Sequence, residues 1–261
     1  MYFKQLITSV TLNTFKKSNS KKLLGLILFV ALFILLVSLG FWQLKRGDQN
    51  QRFEQNLRSR SQHQLSYSQI ENTHKVAELT GYQTHLTLAP VSKPLLYLDN
   101  QIMGQQVGYE VYQVMQYQPN LPWVLVDLGF IAAFAERNNL PEVKPIERKM
   151  KVVGTLYHTD KNPFSSKLLP EIGKEVRIQN MNYKELSLFL GHSVLGIAVQ
   201  AKQAVHSVDG RLLIKRIHKL AMPSSKNYGY AVQWFAMATT LAVIGLFSIF
   251  KRNRLDGDKI K

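Results

Sequence analysis

Two short stretches, far apart in the chain, carry side chains able to hold a flat hydrophobic ligand. The first is Gly40-Phe41-Trp42-Gln43-Leu44-Lys45-Arg46, and the second is Tyr228-Gly229-Tyr230-Ala231-Val232-Gln233-Trp234. Trp42 and Arg46 are four residues apart, so a helix places them on one face; Tyr230 and Trp234 are related in the same way. Their rings would wall an aromatic cleft. Gln43 and Gln233 favour such a cleft, because polar side chains within an apolar span usually face protein or ligand rather than lipid. The plainer use of the same residues is an aromatic belt with an arginine anchor at a membrane surface. On the residues alone both uses stay open.

The rest of the reactive inventory is thin. His63, His74, His85, His158, His192, His206 and His218 never fall three or four apart, so the usual metal-ligand spacings are missing and each reads as a surface or satisfied structural histidine. Glu142, Glu147, Glu171 and Glu175 lie among basic residues and read as solvated charge. No Gly-x-Gly-x-x-Gly, Walker loop, His-Glu-x-x-His or Gly-x-Ser-x-Gly occurs. The chain has no cysteine, which removes thiolate metal sites, Cys-x-x-Cys redox chemistry and c-type haem attachment.

The elements that must position the aromatic stretches are two uncharged apolar runs, Leu23 to Leu44 and Tyr228 to Phe250. At helical rise each spans about 33 Å, enough for a hydrocarbon core of about 30 Å. The first run is too long for a signal peptide and ends in Trp42-Gln43-Leu44-Lys45-Arg46, a poor peptidase site. Residues 1–22 carry lysines but no arginine, which argues against a mitochondrial transit peptide. Helix two also carries a small-residue stripe, Ala231, Ala238, Ala242 and Gly245, suited to close helix packing. Its expected partner is either helix one, through Ala31 and Ser38, or another protein.

Charge orients the spans. Residues 1–22 hold five Lys and no acid, and Lys251, Arg252, Arg254, Lys259 and Lys261 follow the second run. By the positive-inside rule both termini are predicted cytoplasmic. The organisation expected is a cytoplasmic N-terminus (1–22), a transmembrane helix (23–44), an extracytoplasmic, periplasmic domain (45–227), a second transmembrane helix (228–250) and a cytoplasmic tail (251–261). The formal charge of +16 then largely orients helices and meets anionic membrane lipid, so no nucleic-acid partner is expected.

Within the middle domain, residues 47–72 read as a continuation of the first helix and then a loop. Strands are predicted over Val76 to Leu88, Leu95 to Leu98 closed by an Asp99-Asn100 turn, Tyr109 to Met115, Trp123 to Leu128, Met150 to His158, Glu175 to Gln179 and Val194 to Ala201. The period-two pattern of Tyr109 to Met115 marks a half-buried strand. Asn182 to Leu190 reads as a helix stopped by Gly191. The fold class is α+β: two transmembrane helices flanking a largely antiparallel sheet or barrel.

In four segments the chain resembles the Surfeit locus protein family, assembly factors for haem-copper cytochrome c oxidase. They are Leu39-Gly40-Phe41-Trp42-Gln43-Leu44-Lys45-Arg46; Leu98-Asp99-Asn100-Gln101 with Gly108-Tyr109-Glu110-Val111; Val124-Leu125-Val126-Asp127-Leu128-Gly129-Phe130; and Tyr228-Gly229-Tyr230-Ala231-Val232-Gln233-Trp234-Phe235. The resemblance extends over nearly the whole chain. It implies a non-enzymatic assembly role in a bacterial inner membrane, around insertion of haem a or stabilisation of the oxidase's catalytic subunit. Trp42, Arg46, Tyr230 and Trp234 become its ligand- or partner-facing residues, with Arg46 suited to a haem propionate. The family's haem-binding members place a histidine shortly before the second-helix Tyr-x-x-x-Trp. Here Asn227 stands there, and an amide is not a comparable iron ligand; His218 and His206 are the nearest histidines before it. Two other readings remain, a membrane-anchored enzyme of cofactor metabolism and a sensor or structural partner. The enzyme would need a polar cluster converging inside the middle domain.

Overall fold

The computed structural model describes residues 2–136, 139–159, 166–215 and 222–257, and among these the side chains from Leu23 to Lys251. In chain order the elements are α1 (Tyr2–Arg60), β1 (Gln64–Leu65), α2 (Tyr67–Glu71), β2 (Gln83–Pro90), β3 (Leu96–Met103), β4 (Gln106–Gln116), β5 (Trp123–Ala132), β6 (Met150–Tyr157), β7 (Glu171–Ile172), β8 (Val176–Ile178), α3 (Tyr183–Leu190), β9 (Val194–Ala201) and α4 (Ser224–Gly257). They form two compact units, Met1–Phe53 with Leu220–Lys261, and Glu54–Lys219.

The first unit consists of helices. The stretches Leu23–Arg60 and Ser224–Lys251 are long and apolar enough to cross a membrane, and their apolar windows are almost wholly exposed, unlike the core helix of a soluble protein. Both helices run past the apolar runs. Residues 48–60 hold neither Gly nor Pro and are rich in Gln and Arg, so nothing in their chemistry stops α1 at the end of its apolar run.

The second unit is built on a closed ring of strands. Hydrogen bonding follows the order β2–β6–β9–β5–β4, and β4 returns to β2 through Ala89 opposite Gln116 and Pro90 opposite Met115. Closure removes sheet edges that would otherwise expose unpaired backbone. Leu86, Leu88, Val111, Met115, Val126, Leu128, Val152, Leu156, Ile197 and Val199 fill the inside. Outside, β3, β8 and β7 continue the sheet from β4. There α3 packs Leu186 and Leu190 over Leu96, Leu98, Val114, Leu125 and Ala198. Asn182 caps α3 by accepting from Glu185 N, and Gly191 ends it at φ 70°. Pairing is antiparallel except at β1–β2, β3–β8 and β5–β9.

Three expectations change. Val76–Leu79 is a 3-10 turn and the strand begins at Gln83; Gly81, at φ 100°, separates them, and a Cβ there would lie 2.9 Å from Leu57 Cδ2. Asp99-Asn100 does not end its strand. β3 runs on to Met103, with a register slip between Leu98 and Gln101, and Asn100 takes φ 56° while its N donates to Asp99 Oδ1. The turn chemistry is thus spent on a bulge. Finally β4 is buried on both faces: Tyr109 and Val111 enter the barrel, while Tyr112 and Val114 pack outside it.

Burial pushes the hydroxyls of Tyr67 and Tyr183 up to about 12. Their folded values lie above the unfolded value of about 10, so the stability they contribute is complete below pH about 10 and falls as pH rises toward 12. The expected result is a late tyrosinate absorbance step near pH 12 that coincides with loss of the folded domain. Complete titration near pH 10 with the fold intact would contradict this packing.

Candidate functional site

In the helical unit, α1 and α4 lie antiparallel. Asn50 Nδ2 donates to Met222 O at 3.0 Å. A Cβ on Gly47 would meet the Tyr228 ring at 2.7 Å, one on Gly40 the Phe235 ring at 2.6 Å, and one on Gly245 the Phe29 ring at 2.5 Å. The buried and half-buried positions form matching seams. On α1 the seam follows Phe29, Phe33, Leu36, Gly40, Gln43, Gly47 and Asn50, flanked by half-buried Val37, Leu39 and Leu44; on α4 it follows Ser224, Asn227, Ala231, Trp234, Ala238, Leu241 and Gly245, flanked by half-buried Tyr228, Phe235 and Ala242. Steps alternate between three and four, the heptad pattern of a supercoiled pair. Aromatic rings sit where glycine leaves a hollow, and Phe41 meets Phe235 edge-on with centroids 5.3 Å apart. Ala231 and Ala238 are buried, as a packing stripe requires, but Ala31 and Ser38 are exposed. The α1 side of the contact is the glycine stripe, because a ring needs a deeper hollow than alanine or serine gives.

The stretch between the Gly40–Phe235 and Gly47–Tyr228 contacts holds the four residues expected to face a ligand or partner. Trp42 and Arg46 lie in one strand of it, Tyr230 and Trp234 in the other. Trp42 and Tyr230 turn outward, 58% and 43% exposed; Arg46 is exposed and Trp234 lies half-buried on the seam. Arg46 Nη1 reaches Gln49 Oε1 at 3.5 Å. Gln43 Oε1 is buried and has no hydrogen-bond donor, and Gln233 is exposed. The seam turns polar at its Asn50–Ser224 end, where Tyr228 Oη lies 2.8 Å from Asp48 Oδ1 and 2.9 Å from Gln51 Oε1. Asn227 is buried and donates to Pro223 O at 3.4 Å. His206 belongs to the barrel unit, and His218 lies outside the described residues.

Sequence reasoning missed the Phe41–Phe235 contact. Its signal was present: Gly40 and Gly47 repeat at seven, as Ala231 and Ala238 do.

A polar cluster also converges inside the barrel unit. Asp127 is fully buried; its Oδ1 accepts from Gly129 N at 2.7 Å, and its Oδ2 accepts from Tyr157 Oη at 2.8 Å and Gln200 Nε2 at 3.2 Å. Tyr157 Oη is 3.0 Å from Tyr112 Oη; with the one Tyr157 proton on the carboxylate, Tyr112 donates that bond. Burial raises both hydroxyls well above the ordinary tyrosine value. Lys215 Nζ donates to Leu128 O at 2.5 Å. Burial lowers its pKa, opposed by the charges of Asp127 and Glu110. Glu110, Tyr112, Asp127 and Tyr157 are each at most 2% exposed, which leaves a substrate no approach to them. Among the described residues, no group of three His, Asp or Glu side chains is placed to hold a metal.

A sequence profile of the SURF1 family matches residues 30–239, from within the first apolar helix, through the whole barrel unit, to the middle of α4. No curated protein was found to match the chain.

Replacing Gly40 by Leu should force Phe235 off its seat and weaken the helix pair by about 1–3 kcal/mol, the usual cost of overpacking. The chain is free of cysteine, so an Asp48→Cys/Tyr228→Cys pair reports the contact cleanly by oxidative cross-linking. Yield should fall with Gly40→Leu and hold with Gly25→Leu, since nothing lies within 4 Å of a Cβ at Gly25.

Proposed function

The chain belongs to the SURF1 family, and from that premise we propose that it is a non-enzymatic assembly factor for a haem-copper cytochrome c oxidase, working through the outer end of its helix pair. The family is associated with cytochrome oxidase assembly, and the two apolar helices fit membrane association. The observation that carries the reading is the outward placement of Trp42, Arg46 and Tyr230 between two aromatic–glycine contacts, with Trp234 behind them on the seam. Rings of this size lose little conformational freedom on binding, and an arginine beside them can pair a carboxylate in bidentate fashion.

The lysine-rich flanks support a bacterial inner-membrane location with both termini cytoplasmic and the barrel unit outside. At the position before Tyr230 and Trp234 the chain offers an amide, Asn227, rather than an imidazole. The chain has no histidine before His63 or after His218, and the amide of Asn227 is already bonded to Pro223 O. The surface is therefore assigned to contact with the oxidase's catalytic subunit during maturation, with haem a handled by that subunit.

The enzyme alternative required a polar cluster, and one exists, but its groups satisfy one another under packing that excludes substrate. That arrangement favours a structural use. A simple aromatic belt would use the same exposed rings for lipid.

Trp42→Ala or Arg46→Ala is expected to lower oxidase haem a content several-fold in membranes while the level of the variant protein holds. A belt role predicts a fall in the variant's own level instead, and normal haem content at normal protein level would overturn the proposal.

A further inference from the structure

Strand β3 loses its outer neighbour halfway along. β8 pairs with it only from Leu96 to Leu98. Beyond the bulge, Gln101, Ile102 and Met103 pair with Gly108, Val107 and Gln106 of β4 to make a hairpin finger, turned at Gly104 with φ 62°. Among the described residues, no strand other than β4 flanks Gln101–Met103.

The backbone of Ile102 faces the open side. Ala133 N donates to Val107 O at 3.0 Å, so the main-chain groups of Val107 point toward β5. Residues opposite one another in an antiparallel ladder either exchange both bonds or turn both sets away. Ile102, opposite Val107, therefore turns its N–H and C=O away from β4. The bulge occupies the groups next to it: Asn100 N donates to Asp99 Oδ1 at 2.7 Å, and Asp99 O accepts from Gln101 Nε2 at 2.9 Å. Among the described residues nothing comparable serves Ile102.

The side chains of the finger suit the same use. Ile102 and Val107 lie side by side, 65% and 55% exposed. From Asn100 to Gly108 the sequence holds no charged residue. Natural sheet edges are guarded by charge, proline or a bulge; here the bulge guards Asp99 and Asn100 and leaves Ile102 bare.

We infer that the open edge at Ile102 is a docking site for an extended, uncharged segment of a partner polypeptide, which adds to β3 as a strand where β8 stops. Lipid does not answer the observation, because hydrocarbon offers nothing to an unpaired N–H and C=O. A polypeptide strand supplies both partners, and its alternate apolar side chains lie along Ile102 and Val107. Charge complementarity calls for an uncharged segment, since a charge set against this finger loses water and gains no partner. The edge is short, so the hold is weak and readily released. The site belongs to the barrel unit and does not depend on the assignment made to the helix pair.

A fluorescent peptide of alternating valine and threonine, acetylated and amidated, is titrated against the full-length protein in nanodiscs and read by anisotropy. Strand addition draws its affinity from the main chain, so a generic strand is a fair probe. Saturable binding is expected to loaded nanodiscs and not to empty ones. Ile102→Pro removes the outward N–H without removing a bond to β4, and should weaken binding about tenfold, the effect of one lost hydrogen bond. Ile102→Ala keeps the edge and should weaken binding less, and Leu188→Ala on α3 should leave it unchanged. The same peptide N-methylated at every residue should not bind, an arm that decides the matter should Ile102→Pro disturb the domain. Equal binding of the N-methylated peptide, unchanged binding by a folded Ile102→Pro chain, or no saturable binding at all would overturn the site. So would an Ile102→Cys disulfide dimer that forms in membranes before any peptide is added, which would give the edge to a second copy.

Discussion

Asp127 occupies the point on which the barrel's geometry turns. It has no exposed surface, yet a carboxylate tolerates burial only when its oxygens are occupied by donors. One oxygen takes the Gly129 amide two residues on, which fixes the bulge; the other takes Tyr157 from β6 and Gln200 from β9. A single side chain therefore ties together three neighbouring strands and kinks its own, β5. The kink lets β9 leave β5 and Ile214 take its place through an isolated antiparallel bridge to Phe130. With an apolar side chain at this position, the Gly129 amide and the Tyr157 hydroxyl would both lose their acceptor.

The helix pair solves a different problem. Within lipid there is no hydrophobic gain from joining two apolar helices, so association depends on fit. Here rings enter hollows left by Gly40, Gly47 and Gly245. Dispersion between a ring and a backbone in close contact is short-ranged, and a single added methyl group removes it. The seam becomes polar toward the barrel side of the sequence, through Asn50, Tyr228 and Asn227, where water or headgroups can meet what the protein leaves unsatisfied.

The apolar spans were legible because composition alone decides them: a charge-free run long enough to cross a bilayer has few other uses. The continuation of the first helix past its apolar run was legible too, though not its last residue, since nothing in residues 48–60 stops a helix. Strand positions were largely readable from period and turn residues, but β4 misled. Its outer face carries Glu110, Tyr112 and Val114, and the polar pair gives the alternation of a solvent-facing strand although both are buried. Their partners, Asp127, Tyr157 and Lys215, are distant in sequence, so no local pattern could reveal the burial. The helix seam was half legible. The alanine stripe on α4 was visible, but pairing small residues with small ones led to Ala31 and Ser38, when rings were to be matched with glycines.

The two packing schemes bear on how such a protein could serve assembly. An assembly factor must hold a partner and then release it, so its contact surface cannot be fully consumed by its own fold. In the barrel unit the cluster of acids and tyrosines is buried, and the ring of strands closes through β4 and β2. The helix pair spends its glycines and Phe29, Phe235 and Tyr228 on itself, yet leaves Trp42, Tyr230 and Arg46 outward at one level. Gln43 adds a buried carbonyl oxygen that lacks a donor at the same level, a standing cost of about 1–3 kcal/mol that a donor brought by a partner would relieve. The proposed contact on the helices would draw on these outward rings, the arginine beside them and this unsatisfied oxygen.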